Sequence, residues 1–127
     1  MNLNVEGTMR LVKAKYDGTG FQMMSDQLLG SGHPTLHPRK NVVVTDSYLK
    51  EPCAYGDGTT PIRLLCLDDQ TEQALVRIRT RLTFADSENL LRVDPHPAWD
   101  RTFRYVVFNG CPTGERQVFI ADLQALL

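Results

Sequence analysis

The 127-residue chain has no long apolar run and no excess of charge of either sign. No stretch approaches the roughly 18 consecutive apolar residues of a membrane span, and the first residues lack the apolar core of a secretory signal. Fourteen basic against fifteen acidic residues give a formal net charge of -1, which argues against a dedicated nucleic-acid-binding surface. We therefore expect a cytoplasmic protein whose partners include neither a membrane nor a nucleic acid.

Cysteine is also scarce, because the chain contains only Cys53, Cys66 and Cys111. Three scattered cysteines without a C-x-x-C pair predict neither a disulfide framework nor a zinc-finger site. Free thiols agree with the cytoplasmic expectation. The proportions of hydrophobic residues, 42%, and charged residues, 23%, are typical of one globular domain.

An internal repeat is visible in the sequence. Each later segment of the repeat follows its earlier counterpart in the same order along the chain, and a partial third copy lies at the N-terminus. The matching segments are HPTL at 33–36 with HPAW at 96–99, NVVVTDS at 41–47 with RYVVFNG at 104–110, RLLCLD at 63–68 with QVFIAD at 117–122, and GTMRLV at 7–12 with GERQVF at 114–119. Several matches in one order predict a repeat architecture.

The repeat units consist of short β-branched or aromatic runs bounded by turn residues. Units of four short strands over roughly 40–60 residues are typical of β-propeller blades. We therefore predict a single all-β domain over residues 1–127, with about two and a half four-stranded antiparallel blades. The predicted units are a partial blade over residues 7–30, a full blade over residues 33–82 and a partial blade over residues 96–127.

So few blades form an incomplete ring, with apolar blade faces left open at both ends. Three interpretations stay open at this point. The chain is a piece of a longer propeller, it associates with a second copy or a partner chain that covers the open faces, or it folds into a compact β-sandwich of its own.

Two stretches carry a resemblance to a known family. The sequence DPHPAW at 94–99, followed by YVVF at 105–108 and QVFIADL at 117–123, resembles the last blade of the oligogalacturonate lyases and their TolB-like propeller relatives. The sequence GHP at 32–34 with VVVTD at 42–46 resembles the blade before it. The resemblance implies a seven-bladed propeller that binds a divalent metal, usually manganese, and cleaves an acidic oligosaccharide by β-elimination.

The resemblance also implies site residues. His33 and His96 match two metal-binding histidines of the family, whereas Asp94 replaces a third histidine and Leu91 replaces a glutamine ligand. The arginine that removes a proton in these lyases belongs to an earlier blade and has no counterpart here. We therefore expect an acidic sugar to bind without turnover by this chain alone, and whether the chain is an enzyme stays open.

The chemistry of the three candidate ligands is coherent by itself. Two imidazoles and one carboxylate suit a divalent transition metal. Asp94 and His96 are two positions apart, so an extended segment points both side chains the same way. The alternative is that His33 and His96 cap the start of each repeat unit through hydrogen bonds to the backbone.

Two further residues are candidates for contact with a substrate. Arg79 lies on an alternating strand face with Arg77 and Arg81, where it could pair with a sugar carboxylate or serve as a solvated outer-strand charge. Trp99 could stack on a sugar ring or pack between blades. Two functions therefore compete: a metal-dependent unit that binds acidic sugars, and a non-catalytic interaction or scaffold module whose open faces recruit a partner or a second copy.

Overall fold

The computed structural model describes residues 1–81 and 93–127, and this part of the chain is built of β-strands. The strands are β1 (Asn2–Val5), β2 (Thr8–Lys13), β3 (Gln22–Met23), β4 (Thr35–Leu36), β5 (Val42–Thr45), β6 (Thr59–Cys66), β7 (Thr71–Arg79), β8 (Ala98–Trp99), β9 (Tyr105–Gly110) and β10 (Gln117–Asp122). A short 3-10 turn, Gln124–Leu126, follows the last strand. The prediction of an all-β chain is confirmed.

The strands form three antiparallel sheets, each made of strands that follow one another in the sequence. The first sheet has the order β1-β2-β3, the second β4-β5-β6-β7, and the third β10-β9-β8. Each strand pairs with its neighbour in the chain, so every sheet is a simple up-and-down meander. None of the three sheets closes on itself.

Strand β1 is an element that the sequence did not predict, because the expected first unit began at residue 7. Residues Asn2 and Val5 pair with Leu11 and Thr8 across a two-residue turn. The turn residues Glu6 and Gly7 have φ angles of 50° and 83°. Positive φ at both positions is the geometry of a type I′ turn, whose twist suits a tight hairpin. The sequence of β1, NLNV, contains two asparagines, and asparagine is disfavoured in strands, so the strand is hard to recognise from sequence.

The second sheet lies between the other two, and its strand β6 is buried along most of its length. Adjacent residues of a strand point to opposite faces, so Leu64 packs towards the third sheet and Leu65 towards the first. On β7, Ile78 is buried whereas Arg79 is exposed. The sequences of β5 and β6 therefore supply apolar side chains to both faces, whereas β7 keeps one face exposed.

Two apolar cores join the three sheets. The core between the second and third sheets consists of Val44, Ile62, Leu64, Ile78, Val106, Phe108 and Leu123. The core between the first and second sheets consists of Leu11, Leu28, Val43 and Leu65. Each such buried aliphatic side chain stabilises the fold by roughly 1.5–3 kcal/mol relative to exposure.

Equivalent positions of the repeat make equivalent polar contacts at the sheet ends. The amide of Asn41 donates to Asp68, and at the aligned positions the guanidinium of Arg104 donates to Asp122. In both pairs, the residue just before one strand contacts an aspartate at or shortly after the end of the next strand. These aspartates therefore hold strand ends together.

A second recurring feature is the Asp-x-Thr turn. The carboxylates of Asp17, Asp57 and Asp100 each accept hydrogen bonds from the backbone N–H and the hydroxyl of the threonine two residues later. Short polar side chains that bind the backbone two residues on are typical of turns.

In residues 1–81 and 93–127, no helix has the length and apolar character needed to cross a membrane.

Candidate functional site

A fully buried carboxylate, that of Asp46, joins the second and third sheets. Asp46 follows β5, and its side chain is completely excluded from solvent. One carboxylate oxygen accepts the backbone N–H of His33 at 2.6 Å, and the other accepts the backbone N–H of His96 at 3.0 Å. Because a buried carboxylate is costly unless it is hydrogen-bonded, these donors are what allow Asp46 to lie there.

The chain passes so close to Asp46 that position 32 requires glycine. Gly32 has a φ of 56°, in the left-handed region. A Cβ atom at this position would lie 2.2 Å from the carboxylate oxygen Oδ1 of Asp46. Glycine is therefore needed both for the backbone conformation and for the close approach.

The imidazole of His33 has a hydrogen-bond partner on each ring nitrogen. Its Nδ1 lies 3.1 Å from Oδ2 of Asp46, and its Nε2 lies 3.1 Å from the hydroxyl of Tyr48. A carboxylate only accepts, so Nδ1 carries a proton and donates to Asp46, and in the neutral imidazole Nε2 accepts from the tyrosine hydroxyl. Asp46, His33 and Tyr48 thus form a continuous hydrogen-bonded chain.

The ring of His96 stacks on the ring of His33. Their centroids are 3.4 Å apart and their planes are inclined by 21°. His96 is exposed, and its φ of 49° is unusual for a residue with a Cβ. The hydrogen bond from its backbone N–H to Asp46 holds it in this conformation. Strain of this kind persists only where the surrounding structure holds the backbone in place.

The two histidines lie at an open pocket of about 570 Å³. Residues from, or next to, strands of all three sheets line it: Met1, Asn2, Met9, Gly32, His33, Pro34, Thr35, Tyr48, His96 and Pro97. The side-chain amide of Asn2 donates to the carbonyl of Gly32 at 2.8 Å. The Oδ1 atom of Asn2 is buried without a hydrogen-bond partner among the described residues. The pocket thus combines two imidazoles, a phenol and an amide oxygen with apolar walls.

The three predicted metal ligands are only partly brought together. His33 and His96 meet, as the repeat predicts, whereas Asp94 is half-buried and its carbonyl lies 3.5 Å from the side-chain amide of Asn109. The carboxylate in contact with both histidine residues is that of Asp46. Over the described ranges, no three or more His, Cys, Asp and Glu side chains are grouped to hold a metal ion. The metal site through His33, Asp94 and His96 stays a prediction, and Leu91, at the family's glutamine position, lies outside the described residues.

The two predicted substrate contacts do not line this pocket. Arg79 ends the outer strand β7, and its backbone carbonyl accepts from the N–H of Cys111 at 2.8 Å. The indole N–H of Trp99 donates to the carbonyl of Thr35 at 3.3 Å, and the ring packs against the core between the sheets. Trp99 therefore joins β8 to β4, and its role in sugar binding stays a prediction, as does that of Arg79.

Sequence reasoning missed Asp46 and Tyr48 as members of the site. In the sequence repeat Asp46 aligns with Asn109 and follows a β-branched run, a position typical of a turn-forming residue. Asp46 is buried because its segment meets that of His96, 50 positions later in the chain. No local sequence pattern indicates this contact. Nothing around Tyr48 marks it either, because its contact with His33 depends on the path of the loop after β5.

The thiols of Cys53 and Cys111 are not activated as nucleophiles. Burial raises the pKa of the Cys53 and Cys111 thiols, and the Cys111 side chain points to the carbonyl of Arg79. A raised pKa lowers the fraction of reactive thiolate. No cysteine is among the described residues that line the pocket of His33 and His96.

No family model, no curated protein and no solved structure matches this chain. The resemblance to the oligogalacturonate lyases therefore stays a prediction, supported by the residues quoted for it.

Proposed function

We propose that the protein is a propeller-type unit that binds an acidic sugar at the pocket of His33 and His96. The observation that carries the proposal is the meeting of these two histidines. Each stands at the same position of the sequence repeat, just before the first strand of its sheet, and their rings stack at a pocket lined from all three sheets.

The order of the sheets supports the assignment of blades. Each is an antiparallel meander that packs face to face on the next sheet in the sequence. The second sheet has four strands, and the third repeats its first three. A blade is such a meander, and in a propeller the blades follow one another around a central channel. The two-residue strands β4 and β8 would then be the innermost strands, with the histidines at the channel mouth.

The proposed metal is a divalent ion such as manganese, which can bind Nε2 of His33 only when the Tyr48 hydroxyl has released that nitrogen. Metal-bound histidines usually donate their second ring nitrogen to a carboxylate, as Nδ1 of His33 does to Asp46. His33 and His96 would hold the ion, with Asp94 as the third predicted ligand. The metal would supply positive charge for the carboxylate of a uronic acid. We expect binding without β-elimination, since the base arginine of the lyase family has no counterpart in this chain.

The test is titration calorimetry with manganese and a trigalacturonate, each alone and then together. The variant is His96→Asn, because asparagine tolerates a positive φ and keeps the N–H that binds Asp46. The matched control is His37→Asn, since His37 is a buried histidine whose Nδ1 accepts the N–H of Arg39 and is not part of the pocket. We expect binding to the parent and the control, and at least tenfold weaker binding to His96→Asn. No binding to the parent, or equal binding to His96→Asn, would refute the proposal.

A second candidate function is that of an interaction module, and a specific observation favours it. Val118 and Ile120, on one face of β10, are 67% and 69% exposed. Adjacent aliphatic side chains exposed on a sheet face are typical of a surface that another protein covers. In this function the sheets are a scaffold, and the open faces recruit a partner chain.

A further inference from the structure

The repeat indicates which face of each sheet packs on the preceding sheet and which face packs on the following sheet. In β6, Leu64 packs towards the sheet that follows and Leu65 towards the sheet that precedes. The aligned residues of β10 are Val118 and Phe119. Phe119 packs on the preceding sheet, just as Leu65 does, whereas Val118 is exposed to solvent. Val118 therefore occupies the position that contacts a following sheet.

The first sheet obeys the same rule. Its Leu11 aligns with Val118 through the N-terminal copy of the repeat, and it packs on the second sheet, which follows it. In β5, Val44 also packs on the following sheet, and its counterpart in β9 is Val107. Because Val107 pairs directly with Ile120, it lies on the same face as Val118. Val107, Val118 and Ile120 form what we call the trailing face of the third sheet.

The complementary surface lies at the other end of the chain. Val12 aligns with Phe119 and Leu65, the residues that face a preceding sheet. Val12 itself is buried, but its side of the first sheet is the side that a preceding sheet would cover. Three apolar residues around it on that side are exposed: Met1 by 73%, Leu3 by 43% and Met23 by 42%. Met23 pairs with Val12, and Leu3 pairs with Arg10, two positions before Val12. We call Met1, Leu3 and Met23 the leading face.

We propose that the trailing face of one copy packs on the leading face of a second copy, and that the reverse contact closes a dimer. This proposal deepens the second candidate function and rests on the blade-type architecture proposed above. Both halves of the contact are present on this chain, and they are different surfaces, so the contact is head-to-tail. Residues 1–81 and 93–127 of two copies contribute six sheets, which is within the range of about four to eight blades that close a propeller.

The number of blades that a ring can hold also limits the number of copies. A head-to-tail contact forms a ring when its rotation closes and an open filament when it does not. Three copies would bring nine sheets, above that range of about four to eight. The expected species is therefore a dimer with both faces covered.

Sedimentation velocity and native mass spectrometry of the whole chain test the proposal. We expect a dimer for the parent protein and a monomer for either of two charge variants, Ile120→Lys on the trailing face and Leu3→Glu on the leading face. The control is Tyr16→Lys, because Tyr16 is fully exposed on a loop and belongs to neither face. Far-ultraviolet circular dichroism shows whether each variant is folded, and Val118→Lys replaces Ile120→Lys if that variant does not fold.

The decisive measurement is the oligomeric state of an equimolar mixture of the two charge variants. In a head-to-tail dimer, one contact then joins Lys to Glu and the other is unaltered, so an equimolar mixture should recover the dimer that each variant alone has lost. A monomeric parent, a dimer that survives Ile120→Lys, or a mixture that stays monomeric would each overturn the proposal. Sugar binding is measured separately with His96→Asn, so failure of the dimer and failure of the binding site give different results.

Discussion

The imidazole rings of His33 and His96 stack with their centroids 3.4 Å apart. The two residues belong to different sheets, and each stands just before the first strand of its own sheet. Asp46 binds the backbone N–H of both, so one buried carboxylate sets the position of both rings. The pocket geometry therefore depends on a residue that is itself inaccessible to any ligand.

Asp46→Ala is expected to destabilise the protein by at least about 2 kcal/mol, because it leaves two backbone N–H groups without their acceptor. Urea unfolding followed by circular dichroism measures the effect. Asp68→Ala is the matched control, since Asp68 is exposed and accepts a single amide hydrogen bond from Asn41. The control should change stability by no more than about 0.5 kcal/mol. Equal effects of the two substitutions would contradict the structural role of Asp46.

Two glycines with positive φ provide a matched pair for a second prediction. Gly32→Ala would place its Cβ 2.2 Å from Asp46, whereas Gly7→Ala, at a φ of 83°, would meet nothing within 4 Å. Gly7→Ala should cost only the backbone strain, about 1–2 kcal/mol. Gly32→Ala adds a clash with a buried carboxylate and should cost clearly more in the free energy of unfolding. If Gly32→Ala lowers the free energy of unfolding less than Gly7→Ala does, the backbone at position 32 does not lie against the Asp46 carboxylate.

The carboxyl group of Asp100 should stay ionised in strongly acidic solution. The hydrogen bond from the hydroxyl of Thr102 is the largest cause that lowers its pKa from 3.8 to about 2, and backbone N–H groups of the same turn add to it. A carboxyl whose pKa is lower in the folded state stabilises the fold fully above the unfolded pKa. This contribution is lost as the pH falls from about 4 towards 2.

Carbon-13 NMR titration of the carboxyl signal measures the pKa of Asp100 directly. Thr102→Ala removes the hydroxyl donor but keeps the backbone donors, so the midpoint should move up towards 3.8. A midpoint that Thr102→Ala leaves in place would show that the hydroxyl is not the cause.

The sequence predicted those parts of the fold that depend on local pattern. The β-branched run Val42–Thr45, part of the repeated segment at 41–47, is a strand, as its composition predicts. Strand β1 was missed because its alternating asparagines read as polar, although pairing with β2 satisfies its backbone. Propensity is a weak guide where a hairpin partner decides the conformation.

The candidate site could be predicted only in part, for a related reason. The repeat placed His33 and His96 at equivalent positions, and equivalent positions of neighbouring sheets lie close together in space. Alternation along an extended segment suggested Asp94 as the accompanying carboxylate. The carboxylate that contacts both histidines, Asp46, comes instead from the end of β5. Which side chain reaches across between sheets depends on tertiary packing, which the spacing of residues does not encode.

The hydrogen bond between Asp46 and the N–H of His96 has a consequence for cooperativity. Each sheet is a local meander and could form early, but Asp46 keeps an unfilled acceptor until a segment 50 positions later arrives. Separation of the third sheet from the second would expose the His96 N–H to water and leave the Asp46 carboxylate without this donor. We therefore expect the amide hydrogen of His96 to exchange with deuterium only when these two sheets come apart, which makes it a reporter of sub-global opening in this protein.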